Sequence, residues 1–177
     1  MRQATAATLL VLTTATCLAD GVLPPRPELL GVKAVSLDVQ VLVGEHGNPA
    51  FSITPELADP LLAPVTSVLA EGGITSSTDE RGSVPRFQLW IQVVRSKAAP
   101  GALAVSVEAS LADVVRLKRL PKVVPVYPAT LWNRSSVDLI AEGDLLGHLI
   151  AEATSAARSL VADVRYARAG VSTTRLE

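Results

Sequence analysis

Hydrophobic and polar positions first alternate regularly at Val35. Val35, Leu37, Val39, Val41 and Val43 interleave with Ser36, Asp38, Gln40 and Leu42. A period of two with β-branched residues on one side predicts a half-buried strand. Gly44 to Pro49 then supplies turn chemistry. A helix is expected next, but prolines crowd its start. Thr54-Pro55 and Asp59-Pro60 each look like a cap followed by Pro at the first helical position, and Pro64 removes an internal hydrogen bond. The reading is a short turn near Pro55 and a main helix over Leu61–Glu71, with Val65, Val68 and Leu69 as its apolar stripe and Gly72-Gly73 as its stop. A brief strand over Ile74–Ser77 is left open, and Thr78–Pro85 is read as an exposed loop.

The second clear strand is Arg86–Ser96. Phe87, Leu89, Ile91 and Val93 lie on one face; Gln88, Trp90, Gln92 and Val94 lie on the other. Lys97–Gly101 is a turn, and Leu103–Leu111 alternates again, so the two strands form an antiparallel hairpin. The alternation changes phase near Asp113, which predicts a bulge before continuation through Val114–Leu120. Val123–Asn133 is a further strand, placed at an edge by Pro125 and Pro128. Asp144–Ala169 is the longest helix, with Leu145, Leu146, Leu149, Ile150, Ala153, Ala157, Leu160, Val161 and Val164 on one stripe and Gly170 at its end.

One-sided strands and helices assemble most simply in two layers. The expected fold class is α+β: a two-layer sandwich with a mainly antiparallel four-stranded sheet and two helices on one face. It forms one domain over 35–169, after a Pro-rich linker over 20–34 and before a loose tail over 170–177.

Several segments, LDVQVLV, LAEGGI, FQLWIQVVRS, LAVSVEASLADVVRL and VVPVYPATLWN, followed by the final amphipathic helix, resemble a family of small secreted bacterial proteins of unassigned function. The resemblance runs from about Leu37 to Ala169 and includes Ala129-Thr130-Leu131-Trp132. It implies a secreted α/β domain and carries over no catalytic residue. By shape the chain is also similar to small periplasmic domains of envelope-assembly accessory proteins, which dock to partners.

The N-terminus reads as an export signal. Met1-Arg2 is a positive start, Ala4–Ala19 is uncharged, and small residues precede Asp20. The uncharged run is shorter than the roughly 20 apolar residues of a spanning helix. Cleavage after Ala19 is expected, leaving a periplasmic or extracellular chain with no integral membrane span. The alternative is a lipid anchor on Cys17, although Thr14 and Thr16 fit a lipoprotein signal poorly. Cys17 is the chain's one cysteine, so cleavage after Ala19 leaves no thiol for disulfides or metal ligation.

Charge is balanced. The whole chain carries a formal net charge of −1, and losing Arg2 with the signal moves it to −2. Aromatic residues are 3% of the sequence. Neither value suits a nucleic-acid partner.

Candidate chemistry is sparse. His46 lies in a turn; His148 lies in the last helix with Glu152 four residues on, on the same side. One His-Glu pair is too few ligands for a metal site. Asp79, Glu80 and Arg81 read as a solvated loop, and no Gly-x-Ser-x-Gly elbow or phosphate-cradling loop occurs. No cofactor and no catalytic residue are assigned. Two binding features stand out. Arg116, Lys118, Arg119 and Lys122 form a basic cluster, either a charged hairpin end or a contact for an acidic partner. Trp90 and Val94 form an exposed apolar spot if the helices cover the opposite face, and core if the faces are reversed. The sequence therefore favours a non-catalytic interaction or envelope-accessory domain, binding an envelope protein or a second copy. A hydrolase or small-ligand-binding protein using His148 and Glu152 is the alternative.

Overall fold

The computed structural model describes residues 26–45, 47, 50–77, 84–95, 99–114 and 128–174. In chain order the elements are β1 (Ala34–Glu45), β2 (Phe51–Ile53), α1 (Pro55–Glu71), β3 (Thr75–Ser77), β4 (Arg86–Arg95), β5 (Ala102–Val114), β6 (Pro128–Ala141) and α2 (Leu145–Thr174). Single 3-10 turns precede β1 and α2, at Pro27–Leu29 and Glu142–Asp144.

The fold is α+β, a six-stranded mixed sheet with two helices. Strand order is β2-β1-β4-β5-β6, and β3 pairs with the start of β1. Beyond the expected four strands, β3 falls on the segment left open as a brief strand and β2 is an addition, and the sheet is less antiparallel than expected. β1 and β4 are parallel neighbours, from Ser36 opposite Arg86 to Glu45 opposite Arg95. Parallel neighbours need a long crossover, and α1 provides it. β3 is likewise parallel to β1. β4–β5 and β5–β6 are antiparallel, and β2 folds back on the end of β1.

α1 begins at Pro55, a turn and a half before the expected start, and passes through Pro60 and Pro64. Their rings leave the Glu56 and Pro60 carbonyls without helical donors. Both residues are exposed, on the side of the helix away from its buried stripe. Ala58, Leu61, Val65 and Leu69 bury the other side. The helix stops where expected: Gly73 takes φ +75°, its N–H bonds Ala70 O, and Ile74 N–H bonds Leu69 O. That is a Schellman motif, with buried Ile74 packed under the last turn.

Phe87, Leu89, Ile91 and Val93 of β4 and Leu103, Val105, Val107, Ala109 and Leu111 of β5 are all buried. Against them lie Leu149, Ala153, Ala157, Leu160 and Val164 of α2. Both helices cover this one face, and Gly72 brings them close: a methyl there would overlap the Val161 side chain.

Other boundaries shift. The described part of the 20–34 linker is packed, with Leu29 and Val32 buried and the Val32 carbonyl accepting from Arg168 at 2.6 Å. α2 continues past Gly170 to Thr174. β6 is an edge strand among the described residues, and it runs over Pro128–Ala141, eight residues past the expected end at Asn133; 123–127 lie outside the described residues. The register does break near Asp113, between Leu111 and Ala112; the extra residue is Leu131, on β6. Met1–Ala19, Cys17, His46, the Asp79-Glu80-Arg81 loop, the Val115–Leu120 continuation and the basic cluster at Arg116, Lys118, Arg119 and Lys122 lie outside the described residues.

Candidate functional site

The uncovered face of the sheet can be read row by row from the strand registers. At one end, Phe51, Gly44, Val94, Ala104 and Leu139 stand side by side across five strands. The next row is Ile53, Leu42, Gln92, Ser106 and Val137. A third runs Gln40, Trp90, Glu108 and Ser135, and a fourth Asp38, Gln88, Ser110 and Asn133. The face therefore grades from apolar, near the β4–β5 turn, to polar at the other end. Asp38 organises the polar end: it accepts from Gln40 at 3.3 Å and Gln88 at 3.2 Å, with Arg86 at 3.8 Å.

Trp90 lies on this open face, 43% exposed, and Val94 lies two rows away on the same strand face, half-buried, with Gln92 between them. Val137 and Leu139 are more exposed still, at 75% and 77%. Sequence reading missed them, because the expected strand ended at Asn133. Phe51 and Ile53 belong to β2, a three-residue strand too short to show a period. Phe51 covers Gly44, where an added methyl would lie 2.8 Å from the ring; an aromatic over a cross-strand glycine shields backbone that has no side chain of its own.

The helix side of β6 is a polar seam. Trp132 donates its indole N–H to Asp163 at 2.7 Å, Arg134 donates to Ser159, Ser136 donates to Glu152 at 2.7 Å, and Asp138 stands 3.4 Å from His148 Nε2. Successive partners step forward on the strand and backward on the helix, so β6 and α2 run antiparallel. The lengths match: six residues of strand span about 20 Å and fifteen of helix about 22 Å.

His148 and Glu152 thus share one helix face but contact different β6 residues. The His148 side chain is 20% exposed. Its Nε2 is buried and makes no hydrogen bond, the Asp138 oxygen being within ion-pair range but poorly placed to accept. An open depression of about 610 Å³ adjoins it, lined by Leu139, Ile140, Ala141, Gly143, Asp144, Gly147 and His148. Among the described residues, no three His, Cys, Asp or Glu side chains are grouped as a metal site, and no helix is long and apolar enough to cross a membrane. No protein-family model matches the chain, and no match is found among curated proteins.

Proposed function

We propose that this chain is an exported, non-catalytic interaction domain that binds an envelope protein through the open face of its sheet. One observation carries the reading: the helices cover a single face, and the other holds Trp90, Phe51, Ile53, Val137 and Leu139, each at least 40% exposed. Exposed apolar side chains spread over one uncovered sheet face mark a contact surface, and a rigid aromatic such as Trp90 anchors it at low entropic cost. Export is inferred from the Met1–Ala19 pattern, and the resemblance to small secreted proteins points the same way. The basic cluster from Arg116 to Lys122 is proposed as a second, electrostatic contact.

The test is affinity capture of the tagged chain from its own envelope. The proposal expects one specific partner, lost on Trp90→Ser or Leu139→Asp and weakened by Arg119→Glu. A monomeric chain with no partner, or a partner indifferent to all three changes, contradicts it. The N-terminal mass of the captured chain separates cleavage after Ala19 from lipidation at Cys17.

A ligand or hydrolytic site at His148 and Glu152 is the second reading, favoured by the unbonded buried Nε2 beside the depression. Against it, Glu152 is already engaged by Ser136. A small-molecule panel whose thermal shifts vanish in His148→Ala supports this reading, and no shift in the parent chain removes it.

A further inference from the structure

The two edges of the sheet differ. On the β1 side the edge is broken into two three-residue strands, β2 and β3. On the other side β6 runs fourteen residues, and no strand among the described residues pairs with its outer side. A long regular edge is a template for another strand unless its side chains oppose pairing. The two charges on β6, Arg134 and Asp138, oppose two registers of self-pairing and favour one.

In an antiparallel pair of identical strands about a two-fold axis, residues pair symmetrically around the axial residue, and each pair shares a face. With the axis at Arg134 or Asp138, like charges meet. With the axis at Ser136, Arg134 of each copy lies opposite Asp138 of the other. Among the described residues, Arg134 has a hydroxyl partner, Ser159, and no carboxylate within 4 Å. The same register sets Val137 opposite Ser135 and Leu139 opposite Asn133 on the open face.

The second helix fits this arrangement. α2 lies over β5 and β6, so joining two sheets edge to edge sets the two α2 helices antiparallel at about twice the ~4.8 Å strand spacing, a normal helix-packing distance. Beyond the row that meets β6, the outer flank of α2 carries Ala151, Ser155 and Ala162, exposed or half-buried. These three are small; Arg158 and Tyr166, both exposed, border the same flank. The axial Ser136 bonds Glu152, so the axis passes nearest Glu152, with Ser155 about one turn further along the helix toward Ser159, the partner of Arg134.

We propose that β6 is a self-association edge: two copies pair β6 to β6 about Ser136, with reciprocal Arg134–Asp138 contacts across the seam. This inference is separate from the open-face reading: it rests on the free edge of β6, and Trp90 takes no part in it.

Two measurements test it. Sedimentation equilibrium of the purified chain should give a dimer, weakened at least tenfold by Arg134→Asp or Asp138→Arg alone and restored when both changes are combined. For the register, Cys17→Ser chains carrying Asn133→Cys or Leu139→Cys are oxidised separately and mixed. Both positions are exposed, so folding is not at stake. In the mixture, 133 and 139 of different copies lie within disulfide range; in either variant alone the thiols are about 20 Å apart. A disulfide dimer in the mixture only is the expected result. A monomer at about 100 μM, a dimer indifferent to both charge changes, or equal cross-linking in the separate samples overturns the proposal. Trp90→Ser should leave the dimer unchanged, which keeps this outcome separate from that of the open-face reading.

Discussion

Trp132 and Asp163 hold the longest helix to the last strand: the indole N–H donates to the carboxylate at 2.7 Å, 31 residues apart in sequence. The ring itself is 3% exposed and lies against Phe87, with centroids 6.1 Å apart and planes tilted by 44°. One side chain therefore joins β4, β6 and α2.

Removing the acceptor strands a buried donor. Asp163→Ala should cost about 1.5–3 kcal/mol, read as a lower urea midpoint at unchanged slope. Asp163→Asn, which keeps an oxygen acceptor, should cost less. Equal midpoints for parent and Asp163→Ala would show that the bond carries no weight.

Gly72 sets the helix-to-helix distance. Gly72→Ala drives a methyl into Val161 and within 3.0 Å of Leu69 O, and should destabilise by about 1–3 kcal/mol. Its backbone is ordinary right-handed, φ −78°, so the cost is packing rather than strain. Gly72→Ala combined with Val161→Ala should recover part of the loss relative to additivity; strict additivity would place the cost elsewhere.

The N-terminal segment is held by Arg168, which donates to Val32 O, and by Leu29, fully buried. Leu29→Ala should cost about 2–5 kcal/mol. Arg168→Ala should speed hydrogen exchange at residues 29–32 while leaving β4 and β5 protected. Unchanged exchange there would mean that the packing of Leu29 suffices alone.

The hairpin and both faces of β4 were legible because Phe87 to Val94 alternates without a break and a Pro-Gly turn follows. The alternation put Trp90 on the face opposite Phe87 and Leu89 but left open which of the two faces the helices cover. The parallel β1–β4 pair was not legible, because periodicity locates strands without pairing them. Pro60 and Pro64 argued against one long α1, and the burial of Ala58 and Leu61 outweighed them. The expected strand ended at Asn133 because the second half of β6, Asn133 to Asp138, is mostly polar. That polarity belongs to a strand whose helix side meets side chains rather than oil. His148, Glu152, Ser159 and Asp163 lie at intervals of four, seven and four, one polar stripe on α2; opposite it, Arg134, Ser136 and Asp138 alternate on β6. Reading those two periods together would have revealed the seam.

The central claim is that the open face of the sheet is the working surface. It is tested most directly by placing a photo-crosslinking amino acid at Trp90, at Leu139 and, as a control, at exposed Arg158 on α2, then irradiating intact envelopes. The account predicts the same discrete adduct from positions 90 and 139 and none from 158. No adduct at 90 and 139, or an identical adduct at 158, would contradict it.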